Sequence, residues 1–286
     1  MAVATLTFAD RLVAEVARKR SQLVVGLDPI PDLIPVELRG DVSRFCCGIV
    51  DAVAPHAVAV KPQLAFFEAL GAAGIAAFEE TCDYAHRAGL IVIADGKRGD
   101  IGSTARAYAA AYIEGAEPRA DALTVNPWLG RESIEPYLAA ARRYGTGIFC
   151  VVKTSNSAGD VQDVKLSDGR LMWHHVAQLV AEWGEDLVGE HGLSSVGAVV
   201  GATHPRAVGE ARKLMPQTVL LLPGLGAQGA QAGDLARAFT SGPASALVNA
   251  SRSVIYAFRD SGTDFRTAAG AEAARVKQEV WAVSGW

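Results

Sequence analysis

Residues 90–100 read Leu-Ile-Val-Ile-Ala-Asp-Gly-Lys-Arg-Gly-Asp, an apolar run that closes abruptly on charge. A run this short and rich in β-branched residues predicts a strand buried on both faces, with its polar end at the rim of a core. Working outward, the pattern returns at 23–27, 57–61, 122–126, 147–153, 196–202, 218–223 and 246–249, which with 90–95 makes eight strands. Helix-patterned stretches lie between most of them, at 66–88, 104–115, 131–144, 173–190 and 205–215, and an amphipathic stretch at 8–20 precedes the first strand. Strands that are apolar throughout and alternate with helices predict a parallel sheet covered by helices. The expected fold is therefore α/β, a (β/α)8 TIM barrel with an N-terminal helix, forming a single domain over residues 1–286. An open doubly wound sheet carries the same strand count, and periodicity alone does not exclude it.

The chain length of 286 residues suits such a barrel, for which about 250 residues is typical. Lysine and arginine number 27 against 31 acidic residues, a net charge of −4 with no basic cluster, so nothing predicts binding to nucleic acid or to an anionic membrane. Cys46, Cys47, Cys82 and Cys150 form neither a CxxC pair nor a metal-ligand spacing with histidine, and are expected to be free thiols. Asp10, Arg11, Glu15 and Arg18 interrupt the N-terminal stretch, unlike a signal peptide, and no apolar run reaches the roughly 18 residues of a membrane span. A cytoplasmic protein is expected.

Barrels of this type carry their chemistry at the C-terminal ends of the strands. The residues there are Asp28, Lys61, 95–100, Asn126, 153–155, 223–229 and 249–252. Asp95 and Lys97 are two apart, so in an extended segment their side chains share a face, while Asp100 opens the next loop or helix. Carboxylates around a lysine favour its ammonium form, which suits it to act as a fixed cation and general acid rather than as a nucleophile. Lys61, on the neighbouring strand end, brings a second ammonium towards the same carboxylates. A salt-bridged barrel rim without chemistry would carry the same short pattern. Residues 223–229 hold three glycines directly after the seventh strand, with a helix expected beyond, and Arg252 follows the eighth. Backbone N–H groups at a glycine-rich turn, joined by a forked guanidinium, predict a phosphate cup. The patternless connection at 154–170 lies where a mobile active-site loop is expected. His174 and His175 are expected to cap or face solvent, no chemistry is assigned to His56, His86 or His204, and Trp173, Trp183, Trp281 and Trp286 are expected in the core or at an interface.

With those residues assembled, the chain resembles the orotidine 5′-phosphate decarboxylase family, and within it the longer, type 2 subgroup. The matching segments are Gly26-Leu27-Asp28-Pro29, Val60-Lys61-Pro62-Gln63, residues 94–101, Lys153-Thr154-Ser155-Asn156, residues 223–229 and Ser251-Arg252-Ser253. The resemblance implies a homodimeric lyase, using neither metal nor cofactor, that converts orotidine 5′-phosphate to UMP and CO2 in pyrimidine biosynthesis. It implies that Lys61, Asp95, Lys97 and Asp100 form an alternating charged array, with Lys97 stabilising and then protonating the C6 carbanion. Asp100 would reach across the interface, accompanied by Thr104. Asp28 would bind ribose, Ser155 the pyrimidine, and Gly226, Gln228 and Arg252 the phosphate.

Three rival readings stand beside it. A Mg2+-dependent sugar-phosphate decarboxylase or synthase of the same barrel superfamily shares D-x-K-x-x-D but needs an acidic metal ligand where Lys61 stands. A Schiff-base aldolase needs an uncharged lysine. A catalytically silent nucleotide-binding barrel needs none of the four charges.

Overall fold

In the computed structural model, which describes residues 6–156, 159–224 and 232–286, the predicted runs pair side by side in sequence order and close on themselves. The strands are β1 (Leu23–Leu27), β2 (Ala59–Pro62), β3 (Ile91–Arg98), β4 (Ala122–Val125), β5 (Gly147–Lys153), β6 (Ser194–Val200), β7 (Thr218–Pro223) and β8 (Ala246–Ala250), all parallel, with β1 pairing both β2 and β8. Closure decides between the two architectures: the sheet is a barrel and not an open one.

Side-chain alternation divides the core into two shells. Leu23, Val25 and Leu27 of β1 point outward to the helices, whereas Val24 points inward with Ile91, Ile93, Phe149, Val219 and Leu247. The described α-helices are α1 (Phe8–Lys19), α2 (Val42–Val53), α3 (Leu64–Glu68), α4 (Gly71–Arg87), α5 (Gly102–Tyr112), α6 (Arg131–Tyr144), α7 (Gly159–Gln162), α8 (Met172–Trp183), α9 (Pro205–Leu214), α10 (Arg252–Ile255), α11 (Phe258–Ser261) and α12 (Phe265–Ser284). None of the described helices is long and apolar enough to cross a membrane.

The N-terminal helix is a plug. Phe8, Ala9, Leu12 and Val16 of α1 join the inner shell, and Phe8 meets Phe149 edge-on at 5.9 Å. Its polar side chains bind the chain just before the strands begin: Arg11 pairs with Asp121 and donates to Gly145 O, and Lys19 Nζ donates to Ala57 O and Gly89 O at 2.9 and 3.2 Å. The N-terminal mouth of the barrel is thereby shut, which leaves the opposite mouth for a ligand.

Several boundaries differ from the sequence reading. The stretch expected as one helix at 66–88 is two, α3 and α4, because Gly71 turns the chain through φ +67°. β6 begins and ends two residues earlier than 196–202. A 3₁₀ helix, Ala232–Phe239, stands where an α-helix was expected after β7. Of the tryptophans expected in the core or at an interface, Trp173 and Trp183 are buried, and Trp286 is 58% exposed, its Nε1 donating to Phe239 O at 3.3 Å.

Candidate active site

The open mouth of the barrel holds a cavity of about 320 Å3 whose wall is supplied in turn by the C-terminal ends of the strands and the loops that follow them. β2 delivers Lys61 and β3 delivers Asp95 and Lys97. Lys61 Nζ donates to Asp95 Oδ2 at 2.5 Å, and Lys97 Nζ donates to Asp95 Oδ1 at 2.6 Å. One carboxylate thus carries two ammonium groups, one on each oxygen. The two lysines are not equivalent: the Lys61 side chain is 7% exposed and that of Lys97 46% exposed, so of the two Lys97 is the more open to a ligand in the cavity.

Burial opposes ionisation of Asp95, but the attraction and hydrogen bonds of Lys61 and Lys97 outweigh it and hold the carboxyl well below the usual range. For Lys61 burial again opposes the charge, and Asp95 and Asp28 together raise its pKa above that of a free lysine. Asp28 is pushed up, chiefly by burial, with the nearby Lys61 ammonium opposing the rise.

The sequence-based reason for pairing Asp95 with Lys97 is only partly right. Both side chains face the cavity, yet the strand is not regularly extended there. Lys97 sits at φ +44°, and the β3–β4 register slips between Ala94 and Arg98, so four steps on β3 match two on β4. Thr124 of β4 bridges the irregularity. Its hydroxyl donates to Asp95 Oδ1 and accepts from Lys97 N–H, both at 2.9 Å. Gln63 completes the support, donating from Nε2 to Asp95 Oδ2 at 3.1 Å. Sequence reasoning assigned nothing to Thr124 or Gln63. Thr124 has no signal in an apolar strand, while Gln63 could have been found two residues beyond Lys61.

At the β1 and β8 end, Asp28 Oδ1 and Asn249 Oδ1 are buried with no hydrogen-bond partner among the described residues, and both residues line the cavity. Two unsatisfied buried acceptors in one wall call for donors from a ligand, such as hydroxyls. The loop bearing Asp28 is fixed by Tyr256, whose hydroxyl accepts from Ile30 N–H at 2.7 Å and donates to Asp28 O at 2.8 Å. Asn249, although within the stretch singled out after β8, had no predicted role.

Ser155, after β5, and Arg252, at the start of α10, also line the cavity, as do Pro223 and Gly224 from the end of β7. Gly226 and Gln228, the other two predicted phosphate residues, lie outside the described residues. Asp100 and Thr104 do not line the cavity of their own chain. Asp100 Oδ1 accepts from Ile101 N–H at 2.8 Å, and Thr104 is exposed on α5. Two of the histidines have structural partners: His174 Nδ1 accepts from Leu171 N–H at the start of α8, and His86 pairs with Asp121 at the closed mouth. Among the described residues no group of three His, Cys, Asp or Glu side chains converges in a way that would hold a metal ion.

The family model described as "Orotidine 5'-phosphate decarboxylase / HUMPS family" matches residues 21–263. The chain belongs to this family. Within it, the orotidine 5′-phosphate decarboxylase of Rhodopirellula baltica is 47% identical over 272 residues, covering 89% of this chain and 90% of that one. The enzyme of the same name from Deinococcus radiodurans is 48% identical over 254 residues, covering 88% and 90%. The solved structure of Leishmania donovani OMP decarboxylase superposes with a TM-score of 0.78 at 30% identity, covering 97% of this chain and 99% of that one. The sequence reading expected a resemblance to orotidine 5′-phosphate decarboxylase, and the family match over residues 21–263 contains every strand of the barrel.

Proposed function

We propose that this chain decarboxylates orotidine 5′-phosphate to UMP and CO2, the step that yields UMP in pyrimidine biosynthesis, and that it does so without a metal or an organic cofactor. The observation that carries this reading is the Lys97 ammonium, open to the cavity on one side and bound to the buried Asp95 carboxylate on the other.

When the bond between C6 and the carboxylate breaks, the electron pair stays on C6 in the plane of the pyrimidine ring, where the ring π system cannot spread it. Stabilisation must come from a charge already in place. A preorganised ammonium in a water-poor site does this without reorganising at the moment of reaction. Lys97 supplies the charge and then the proton, from Nζ to C6, as CO2 departs. Asp95 aims Lys97, and Lys61 keeps Asp95 ionised. Asp28 and Asn249 offer their free oxygens to ribose hydroxyls, Ser155 binds the pyrimidine, and Arg252 with the turn that includes Gly224, Gly226 and Gln228 receives the phosphate. Phosphate binding, remote from C6, contributes orientation.

Asp100 completes the array from the second subunit of a homodimer, with Thr104 beside it on the ribose side. Support comes from exposed apolar side chains: Ile101, which follows Asp100 in the chain, is 50% exposed, and Trp128 and Leu129 just after β4 are 63% and 52% exposed. The four cysteines are free thiols, which fits the expected cytoplasmic setting.

The Mg2+-dependent sugar-phosphate reading is disfavoured by Lys61, a buried ammonium at the strand end where a divalent cation would need an acidic ligand. The test is ultraviolet monitoring of orotidine 5′-phosphate loss with chelator in excess. Full turnover is expected. Abolition by chelator and recovery with Mg2+ would reverse the choice.

A further inference from the structure

One buried ammonium at the open mouth plays no part in the chemistry above. Lys153 ends β5, yet its side chain does not enter the central cavity. The β5–β6 register slips between Val151 and Lys153; Val151 lines the central cavity, while Lys153 lines a separate one of about 540 Å3 bounded by α8, α9 and the connection after β6. The Lys153 side chain is 6% exposed, and its partner is a carboxylate from the connection that follows: Nζ donates to Asp163 Oδ1 at 2.5 Å. The next residue is tied to the same short segment, because Thr154 donates to Gln162 Oε1 from both N–H, at 3.0 Å, and Oγ1, at 3.1 Å.

These ties converge on Ser155. On its other side the connection after β6 holds it as well: Thr203 Oγ1 donates to Ser155 O at 2.9 Å, and Gly201 lies so close that a Cβ there would come within 2.6 Å of Ser155 Cα. A serine that must present one hydroxyl to a planar ring needs its backbone held to a fraction of an ångström.

We propose that the Lys153–Asp163 ion pair, with the Gln162–Thr154 bonds, is the positioning device that sets Ser155 for recognition of the pyrimidine. This deepens the functional reading and rests on it. Asp163 is a positioning residue: it touches no reacting atom, and its carboxylate acts by keeping the buried Lys153 ammonium paired and the 162–163 segment seated against Thr154. The consequence is selective. Losing Asp163 should weaken contacts to the base and leave those to ribose and phosphate, which come from β1, β7 and β8, unchanged.

The experiment compares the affinities of UMP and ribose 5-phosphate for the wild type, Asp163→Asn, Asp163→Glu, Ser155→Ala and the Asp163→Asn/Ser155→Ala double variant, with orotidine 5′-phosphate turnover measured in parallel. Asp163→Asn is expected to weaken UMP about tenfold, the loss of one good hydrogen bond, and to leave ribose 5-phosphate within about twofold. KM should rise in proportion, Asp163→Glu should recover much of the loss, and Asp163→Asn should add nothing in the Ser155→Ala background. Equal weakening of both ligands, no weakening of either, or full additivity with Ser155→Ala overturns the proposal. Should Asp163→Asn not fold, Gln162→Ala, which removes both bonds to Thr154, decides instead, and equal weakening of the two ligands, or none, overturns the proposal. A wild-type chain that neither binds UMP nor consumes orotidine 5′-phosphate would instead fail the functional reading itself.

Discussion

Lys97 is one of two non-glycine residues among those described whose backbone enters the left-handed region. A side chain with a Cβ is held there at a cost of about 1–3 kcal/mol, and the surroundings must impose it. Here Thr124 grips the Lys97 N–H and Asp95 grips its ammonium, so backbone and side chain are aimed by the same pair of neighbours. Lys97→Ala is expected to lower kcat by several orders of magnitude while UMP still binds, and Lys97→Gly should do the same. The glycine variant should nevertheless be the more stable of the two by about 0.5–1 kcal/mol, because glycine accepts a positive φ. Turnover, UMP titration and urea unfolding read the three quantities. Near-normal turnover, or an alanine variant more stable than the glycine variant, would contradict the assignment.

Among the elements, α1 and β4 show how the closed mouth is held. Asp121, just before β4, accepts from Val92 N–H at 2.8 Å, meets His86 Nε2 at 3.0 Å and pairs with Arg11 of α1. Burial would raise its pKa, but the hydrogen bonds from His86 and Arg11 and the Arg11 charge outweigh it and bring it down to about 2. A carboxyl depressed in the fold stabilises it in full above the unfolded value near 3.8, and that contribution fades as pH falls through the folded value near 2. Asp121→Asn should therefore cost roughly 2 kcal/mol at pH 7, a deficit that narrows between pH 4 and pH 2. Urea unfolding across a pH series measures it. A pH-independent deficit would place the stabilisation elsewhere. Elements were legible where apolar runs were uninterrupted: β1, β5, β7 and α6 keep the expected bounds. β3 was expected to stop at residue 95 and runs on to Arg98, because the irregularity at Lys97 depends on Thr124, a partner 27 residues away in the chain. Local periodicity carries no such information.

For the whole molecule, the order of eight units was readable because each strand is buried on both faces, whereas closure was not, since an open sheet carries the same number of strands. The charged centre was readable too, since Lys61, Asp95 and Lys97 lie at strand ends. Its supports, Thr124, Gln63 and Asn249, were not, because their roles arise only when strands from distant parts of the chain are set side by side. Asp100 and Thr104, which do not line the cavity of their own chain, raise a question of assembly. If Asp100 serves the neighbouring subunit, Lys97→Ala and Asp100→Ala homodimers are each inactive, while a heterodimer of the two contains one site with both residues intact. Random exchange of subunits should then restore about one quarter of wild-type activity, as expected for an isologous pair. No recovery in a mixture shown to exchange subunits would confine each site to one chain.

The plug formed by α1 meets the barrel at the end opposite the cavity to which ligand binding is assigned. Selection for endurance and selection for turnover can therefore operate on separate residues. A heat-hardened catalyst is best sought by rebuilding the floor around Arg11, Lys19 and Asp121, where changes leave the rim untouched.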